Sequence, residues 1–128
     1  MSIAIFLITH EGIASNLLNI GKSIIQTPID NFSFIEVPMD ANVDEIIEDA
    51  EKNISGLNLD DGIIFVTDIY GSTPANIAKK LATKYKTSLL SGVNLPMIIR
   101  LLNYRDAEKE SILQKALDGA CQGIHINI

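Results

Sequence analysis

Residues 3–18 read IAIFLITHEGIASNLL, and this stretch decides how the chain folds. Six consecutive apolar residues, from Ile3 to Ile8, are typical of a β-strand that is covered on both faces. From Ile13 onward, apolar residues recur every three or four positions, which is the spacing of a helix. The change of pattern falls on a polar turn that contains His10 and Gly12. The sequence therefore predicts a strand, a turn that carries a histidine, and a helix.

The same alternation of strand-like and helix-like segments runs through the chain. Further strands are predicted at residues 32–37, 63–66 and 87–90, and the alternating segment GIHINI at 123–128 is predicted as a last strand. Helices are predicted from 13 to near Thr27 and Pro28, and at 43–54, 73–85, 97–104 and 107–120. Strands that alternate with helices favour a mainly parallel sheet with helices on both faces. One α/β domain over residues 1–128 is expected.

Composition and charge exclude several classes of function. The net charge of −6, the pI near 4.7 and ten scattered basic residues argue against binding to nucleic acid or to an anionic membrane. The apolar run at 3–8 is too short for a membrane span or a secretion signal, so a cytoplasmic protein is expected. Cys121 is the single cysteine, and no Cys/His cluster has metal-ligand spacing, so no metal or cofactor is expected. The acidic residues at 44–51 are predicted to form a solvated helix face.

Polar turns follow the first, third and fourth predicted strands. They read THEG at 9–12, TDIYGSTP at 67–74 and SGVNLP at 91–96. In open parallel sheets, ligands bind at the carboxyl ends of the strands, where the strand order reverses. If the first and third strands are neighbours, His10 and Asp68 face each other there. An aspartate that accepts a hydrogen bond from Nδ1 leaves the histidine Nε2 free to attack, and it stabilises the cation formed afterwards.

The turn GSTP supplies the remaining part of this candidate site. Gly71, Ser72 and Thr73 bring hydroxyl groups and the free N–H groups of a helix N-terminus, which together can hold an anion. A nucleophilic nitrogen, an orienting carboxylate and a phosphate seat suit an enzyme that takes a phosphoryl group onto histidine and passes it on. His10 and Asp68 are therefore candidate catalytic residues, and the three turn residues are candidate phosphate-binding residues.

Each of these residues also has an ordinary structural interpretation. A lone histidine at a strand end is more often a surface or structural residue, and an isolated Asp68 could simply cap a turn. Ser72 and Thr73 are helix-capping residue types, and Thr73 before Pro74 is predicted as the N-cap of the third helix. The combination of the turns, and no single residue, favours the functional interpretation.

The segments FLITHEGIASNLL, IIFVTDIYGSTPANIAKKL and SGVNLPMIIRLLNYR resemble the mannose-family enzyme IIA domain of the bacterial phosphotransferase system. The resemblance covers nearly the whole chain, with the same order and spacing of motifs. It implies a doubly wound sheet of four parallel strands, with a last antiparallel strand that is exchanged within a homodimer. The segment GIHINI is in the right place to be that strand.

The resemblance also implies roles for individual residues. The phosphorylated histidine of the family matches His10, and its hydrogen-bonding aspartate matches Asp68. The serine of the family's glycine-serine-proline turn matches Thr73, and Ser72 stands where a glycine is common. The family often has a glycine directly after the histidine, whereas this chain has Glu11, whose carboxylate would repel a phosphohistidine unless it points to solvent.

The implied partners are those of a phosphoryl relay. The phosphorylated carrier protein HPr would donate the phosphoryl group to His10, which would pass it to a IIB component during sugar uptake. We expect no linker or IIB domain after the last predicted strand, which leaves two roles open. The chain could serve transport with separate IIB and IIC chains, or it could be a free-standing relay protein with a regulatory target.

Three other functions are kept as alternatives. The phosphotransferase subunit that serves dihydroxyacetone kinase has the same fold in its first domain. A receiver-like signalling domain would carry the phosphoryl group on Asp68, but it needs a pair of acidic residues after the first strand, where THEG offers one. A flavin-binding module would need a run of hydroxyl residues in the same turn.

Overall fold

The computed structural model describes residues 2–26 and 28–128, so the predicted helix end at Thr27 lies outside the described residues. The elements are β1 (Ala4–His10), α1 (Ala14–Ile25), β2 (Phe32–Val37), α2 (Val43–Ser55), β3 (Ile63–Thr67), α3 (Thr73–Lys84), β4 (Leu89–Leu90), α4 (Leu95–Asn103) and α5 (Lys109–Gln122). These elements confirm the predicted alternation, with shifts of one or two residues at most ends. The fourth strand is shorter than predicted, because only its last two residues pair with β3.

The four strands form one parallel sheet in the order β2-β1-β3-β4. The chain therefore runs from β1 to its neighbour β2 and then crosses to the other side of β1 to form β3. The first and third strands are therefore neighbours, which is the condition under which His10 and Asp68 are expected to face each other. The order of the strands reverses between β1 and β3, and Ile8 lies opposite Thr67 near the carboxyl ends of the two strands.

Helices cover both faces of the sheet, as the apolar run in β1 predicts. Ile5 and Leu7 belong to the core on the face of α1, α4 and α5, whereas Phe6 and Ile8 belong to the core on the face of α2 and α3. All four side chains are fully buried. Phe6 meets Phe65 of β3 edge-to-face at 5.9 Å between ring centroids, and replacing such a residue with alanine costs about 3–5 kcal/mol.

The N-cap of the third helix lies one residue earlier than predicted, at Ser72. Ser72 has an extended backbone, with φ −86° and ψ 172°, and its side chain accepts a hydrogen bond from the Ala75 N–H. Thr73 is already the first helical residue, so the prediction of Thr73 as N-cap is wrong. Proline fits any position of the first turn, where its missing N–H costs no helical hydrogen bond, and Pro74 therefore does not decide between the two residues.

The acidic side of α2 is not solvated throughout. Glu51 accepts a hydrogen bond from the Tyr85 hydroxyl at 2.8 Å and lies 3.0 Å from the ammonium group of Lys84. The prediction of a wholly solvated acidic face is therefore wrong at Glu51, because the end of α3 lies beside this part of α2.

The carboxyl-terminal segment, residues 124–128, forms no strand within the single chain. It is exposed, including its three isoleucines, Ile124, Ile126 and Ile128. Helix α5 ends at Gln122, two residues beyond its predicted end. In the described ranges 2–26 and 28–128, no helix is both long and apolar enough to cross a membrane.

Candidate functional site

His10 and Asp68 meet at the carboxyl edge of the sheet. His10 is the last residue of β1, and Asp68 follows the last residue of β3, its neighbour. The ring Nδ1 of His10 lies 2.8 Å from Oδ2 of Asp68, and the same oxygen accepts the backbone N–H of His10 at 2.9 Å. The contact that the sequence predicted is therefore present, and the aspartate holds both the ring and the main chain of the histidine.

Asp68 is held in its ionised form. Burial by itself raises the pKa of Asp68. Hydrogen bonds from the His10 backbone and ring and from the Ile69 N–H together lower it by more, so the pKa lies below its ordinary value of 3.8. An ionised carboxylate can only accept hydrogen bonds, so the proton in this contact lies on Nδ1 of His10. In the neutral ring, the lone pair is then on Nε2.

The hydrogen bonds of the Asp68 carboxylate argue against the receiver-like alternative, in which Asp68 would accept the phosphoryl group. Its Oδ2 accepts two hydrogen bonds from His10, its Oδ1 accepts the Ile69 N–H at 3.0 Å, and its side chain is only 9% exposed. A phosphoacceptor carboxylate needs an accessible oxygen to attack phosphorus, and the Asp68 carboxylate is largely covered and already accepts these hydrogen bonds. The geometry therefore favours His10 over Asp68 as the acceptor.

The His10 ring is open to solvent at one side. Its side chain is 33% exposed, and it lines a cleft of about 210 Å³ together with residues of the β2–α2 loop and the start of α3. Val43 of α2 and Thr73 of α3 both line this cleft. A protein partner can therefore reach the ring. Glu11, the residue after His10, is exposed, which is the condition for its charge to be tolerated.

The N-terminus of α3 forms the other half of the site. Gly71 has φ +83°, a left-handed conformation that glycine adopts without steric cost, and it turns the chain into the cap. The Ser72 hydroxyl donates to the Ile69 carbonyl at 2.7 Å and accepts the Ala75 N–H at 3.4 Å, so its single proton is used within the turn. The Thr73 hydroxyl takes no part in the cap, and Thr73 lines the cleft.

Sequence reasoning missed two residues behind the site, Thr9 and Glu36. The buried Thr9 hydroxyl donates to the His10 carbonyl at 2.8 Å and accepts the Ala14 N–H at 3.0 Å. Oε2 of Glu36 accepts the N–H of Ser15 at 2.9 Å and its hydroxyl at 2.8 Å. The signal for Glu36 was available in the sequence, since a lone carboxylate interrupts the strand FSFIEV near its end.

Glu36 is also held in its ionised form. Burial raises the pKa of Glu36, but hydrogen bonds from Ser15 and from the Gly12 N–H lower the pKa more, to below its ordinary value of 4.5. A negative charge therefore lies at the N-terminus of α1, where the helix dipole favours it. In the part of the chain that the structure describes, no group of three or more His, Cys, Asp or Glu side chains could hold a metal ion.

The sequence model of the family described as PTS system fructose IIA component matches residues 4–117. The chain belongs to this family. The PTS system mannose-specific EIIAB component of Escherichia coli K12 is 26% identical to it over 127 residues. That alignment covers 97% of this chain and 39% of the E. coli protein, so the chain spans well under half the length of the curated relatives that it matches.

Solved IIA structures have the same fold. The mannose/sorbose specific IIA subunit from Enterococcus faecalis superimposes with a TM-score of 0.86 at 14% identity, over 100% of this chain and 96% of that one. The phosphotransferase system component EIIA from Streptococcus agalactiae superimposes with a TM-score of 0.83 at 19% identity, over 97% of this chain and 96% of that one. The chain is therefore a mannose-type IIA component in sequence family and in fold, and IIA components are phosphotransferases of this system.

Proposed function

We propose that this IIA component accepts a phosphoryl group on Nε2 of His10 and passes it to a second protein. The observation that carries the proposal is the contact between His10 Nδ1 and Asp68 Oδ2 at 2.8 Å, beside an open cleft. This contact keeps a proton on Nδ1, so Nε2 is a nucleophile in the neutral ring. The partial exposure of the ring lets two different proteins reach it in turn.

The transfer exchanges one bond from phosphorus to nitrogen for another. Nε2 of His10 attacks the phosphorus, and the bond between phosphorus and the donor's nitrogen breaks. The Nδ1 proton stays on the ring, and the carboxylate of Asp68 stabilises the positive charge that the ring acquires. Delivery to the acceptor is the same exchange in reverse, so catalysis consists of positioning and of charge stabilisation.

The phosphoryl oxygens are assigned to the start of α3. Gly71, Ser72 and Thr73 turn the chain into this helix, and the N–H groups of a helix N-terminus favour a dianion. Support for Thr73 as the hydroxyl that binds the phosphoryl group comes from the cap, which occupies the Ser72 hydroxyl and not that of Thr73. This assignment also keeps the phosphoryl group in the cleft that His10 lines.

The proposed donor is HPr, and the proposed acceptor is a IIB component in sugar uptake. The E. coli relative is named as an EIIAB component, which joins the two parts, and the similar structures include a mannose/sorbose IIA subunit. These names favour a role in sugar uptake over service to dihydroxyacetone kinase. The proposed place of the transfer is the cytoplasm. A free-standing regulatory relay uses the same site chemistry and differs only in its acceptor protein.

An apolar rim around the site fits this role as a carrier. Met39 after β2 is 93% exposed, and Ile69 and Tyr70 after β3 are 60% and 85% exposed. All three follow strands at the edge where His10 lies. Large exposed apolar side chains grouped at one edge are typical of surfaces that another protein covers for part of the time.

The second copy of a homodimer is proposed to receive the carboxyl-terminal segment. Ile124, Ile126 and Ile128 alternate with His125 and Asn127, so a strand would carry the three isoleucines on one face. Strand β4 is an edge strand that pairs only with β3, so its other side is open to a further strand. Exchange of the segment between two copies would bury the isoleucines and close that edge.

Labelling with phosphoenolpyruvate tests the proposed acceptor. The full chain is incubated with [³²P]phosphoenolpyruvate, enzyme I and HPr, and the stability of the label is measured. We expect a label that is lost in acid and survives alkali, which is the behaviour of phosphohistidine. His10→Ala should abolish it, whereas His125→Gln, at the only other histidine, should be labelled like the wild type. An alkali-labile label, or a label retained by His10→Ala, would reject the proposal.

A further inference from the structure

The helices that follow β1, β2 and β3 begin at the edge where His10 lies, and they differ in the charge at their N-termini. Helix α2 has two carboxylates of its own in its first turn, Asp44 and Glu45. Helices α1 and α3 have none in theirs. The positive end of a helix dipole attracts an anion, so α1 and α3 would be equally suited to a phosphoryl group by this criterion.

A side chain from the sheet already occupies the N-terminus of α1, so α1 and α3 are not equivalent. Oε2 of Glu36, on β2, accepts both the N–H and the hydroxyl of Ser15 in the first turn of α1, at 2.9 and 2.8 Å. The N-cap position of α1 is Ile13, which cannot cap the helix with its own side chain. The carboxylate therefore occupies the position in which a helix N-terminus would hold a bound phosphate.

The register of the sheet explains why Glu36 reaches α1 whereas His10 does not. Glu36 is paired with Thr9 in the ladder between β2 and β1, and paired residues of neighbouring strands point to the same face. Both side chains contact the start of α1. His10, the next residue, points to the opposite face, where it lines the cleft beside α3.

We propose that Glu36 is a positioning residue that fills the anion-binding end of α1, so that a phosphoryl group on His10 binds at the start of α3. The part of this inference that concerns a phosphoryl group on His10 rests on the proposed function. The charge of Glu36 would also repel a phosphoryl dianion that approached the α1 side. Its hydrogen bonds to Ser15 tie down the turn that joins His10 to α1.

Inorganic phosphate probes the two helix ends without any phosphoryl transfer. Amide shifts of the ¹⁵N-labelled, unphosphorylated chain are followed while phosphate is added at constant ionic strength. In the wild type, the Ser15 amide should not show a saturable shift. In Glu36→Ala it should, with phosphate binding at least tenfold tighter there than in the wild type. Glu48→Gln, which removes an exposed carboxylate of α2, should behave like the wild type.

Phosphorylation of the same variants tests the effect on His10. Glu36→Gln keeps an oxygen that can accept from Ser15, so it serves where the alanine variant folds poorly. Its neutral amide oxygen accepts more weakly than the carboxylate, so a phosphoryl dianion can displace it from the end of α1. On phosphorylation, the Thr73 amide should shift in the wild type, and the Ser15 amide should shift in addition in Glu36→Gln. The rate of labelling from phospho-HPr should fall several-fold.

The two experiments separate the two proposals. If the chain is not a phosphoryl acceptor, neither the wild type nor any variant is labelled, yet the phosphate titration still reports on Glu36. A Ser15 amide that responds to phosphate equally in the wild type and in Glu36→Ala would overturn the role of Glu36. So would a phosphorylated Glu36→Gln chain whose Ser15 amide is unshifted and whose labelling rate is that of the wild type.

Discussion

Oδ2 of Asp68 accepts two hydrogen bonds from His10, one from the ring Nδ1 at 2.8 Å and one from the backbone N–H at 2.9 Å. A single oxygen therefore fixes the ring relative to its own main chain. The side chain of Asp68 is 9% exposed, so little water competes for this oxygen. The ring is oriented before any partner arrives, which removes a cost that the transfer step would otherwise bear.

Removal of the charge at Asp68 should slow transfer without unfolding the chain. Asp68→Asn has nearly the same shape, but its neutral amide no longer stabilises a cationic ring and can present an N–H to Nδ1, which favours the wrong tautomer. We expect labelling from phospho-HPr to slow by about a hundredfold or more. Asp61→Asn, at an exposed turn before β3, is the control and should label normally. A rate within twofold of the wild type would contradict this prediction.

Asp68 should also make stability depend on pH in the acid range. The native pKa of Asp68 lies below its ordinary value of 3.8, because hydrogen bonds from His10 and Ile69 outweigh burial. Its contribution to the free energy of unfolding is therefore present above pH 3.8 and lost as pH falls through the lower native pKa. Urea unfolding of the wild type and Asp68→Asn between about pH 2 and 6 measures it. A difference in unfolding free energy that does not shrink toward low pH would contradict it.

Ser72 and Thr73 should separate into a structural and a functional hydroxyl. Ser72→Ala removes the N-cap of α3 and should cost about 1 kcal/mol in the free energy of unfolding. Thr73→Val keeps the shape and the cap, so its stability should be nearly unchanged. It removes a hydrogen bond to a charged group, worth about 1.5–3 kcal/mol, so labelling should slow by roughly ten- to a hundredfold. Normal labelling of Thr73→Val would show that the Thr73 hydroxyl does not bind the phosphoryl group.

Tyr85 should titrate well above an ordinary tyrosine. Burial has the largest effect on the pKa of Tyr85, and the hydrogen bond to Glu51 and the negative charge of Glu51 add to it. Together they raise this pKa from 10.0 to about 12. The resulting stabilisation is present below pH 10.0 and is lost as the pH rises toward 12. With the other two tyrosines replaced by phenylalanine, ultraviolet absorbance reports Tyr85 alone. Glu51→Ala should lower this pKa, and an unchanged titration would contradict the assigned cause.

The carboxyl-terminal segment should control the oligomeric state. Light scattering on a sizing column should give twice the mass of one chain for the wild type. Ile126→Asp puts a charge on the face that carries the exposed isoleucines and should give the mass of a single chain. Asn127→Asp adds the same charge on the opposite face and should leave the dimer intact. A wild type that elutes as a single chain at all concentrations would rule out the exchanged strand.

The sequence by itself determined the elements and the class of the fold. Runs such as Ile3 to Ile8 are apolar at every position because both faces of the strand are buried. The helices show apolar residues every three or four positions because one side of each faces the sheet. These are properties of a short segment and its burial. The motifs around His10, Asp68 and Thr73 were equally local, and so they could be recognised before the structure.

Only the tertiary structure decided which of these residues meet and which helix end is free. His10 and Asp68 are 58 positions apart, and their contact exists because β1 and β3 are neighbours in the sheet. The capping of α1 by Glu36 depends on the register between β1 and β2, and the choice of Ser72 over Thr73 as cap depends on the backbone of one turn. Periodicity records which face of an element is buried, but not which element covers it, so contacts between strands cannot be inferred from any one segment.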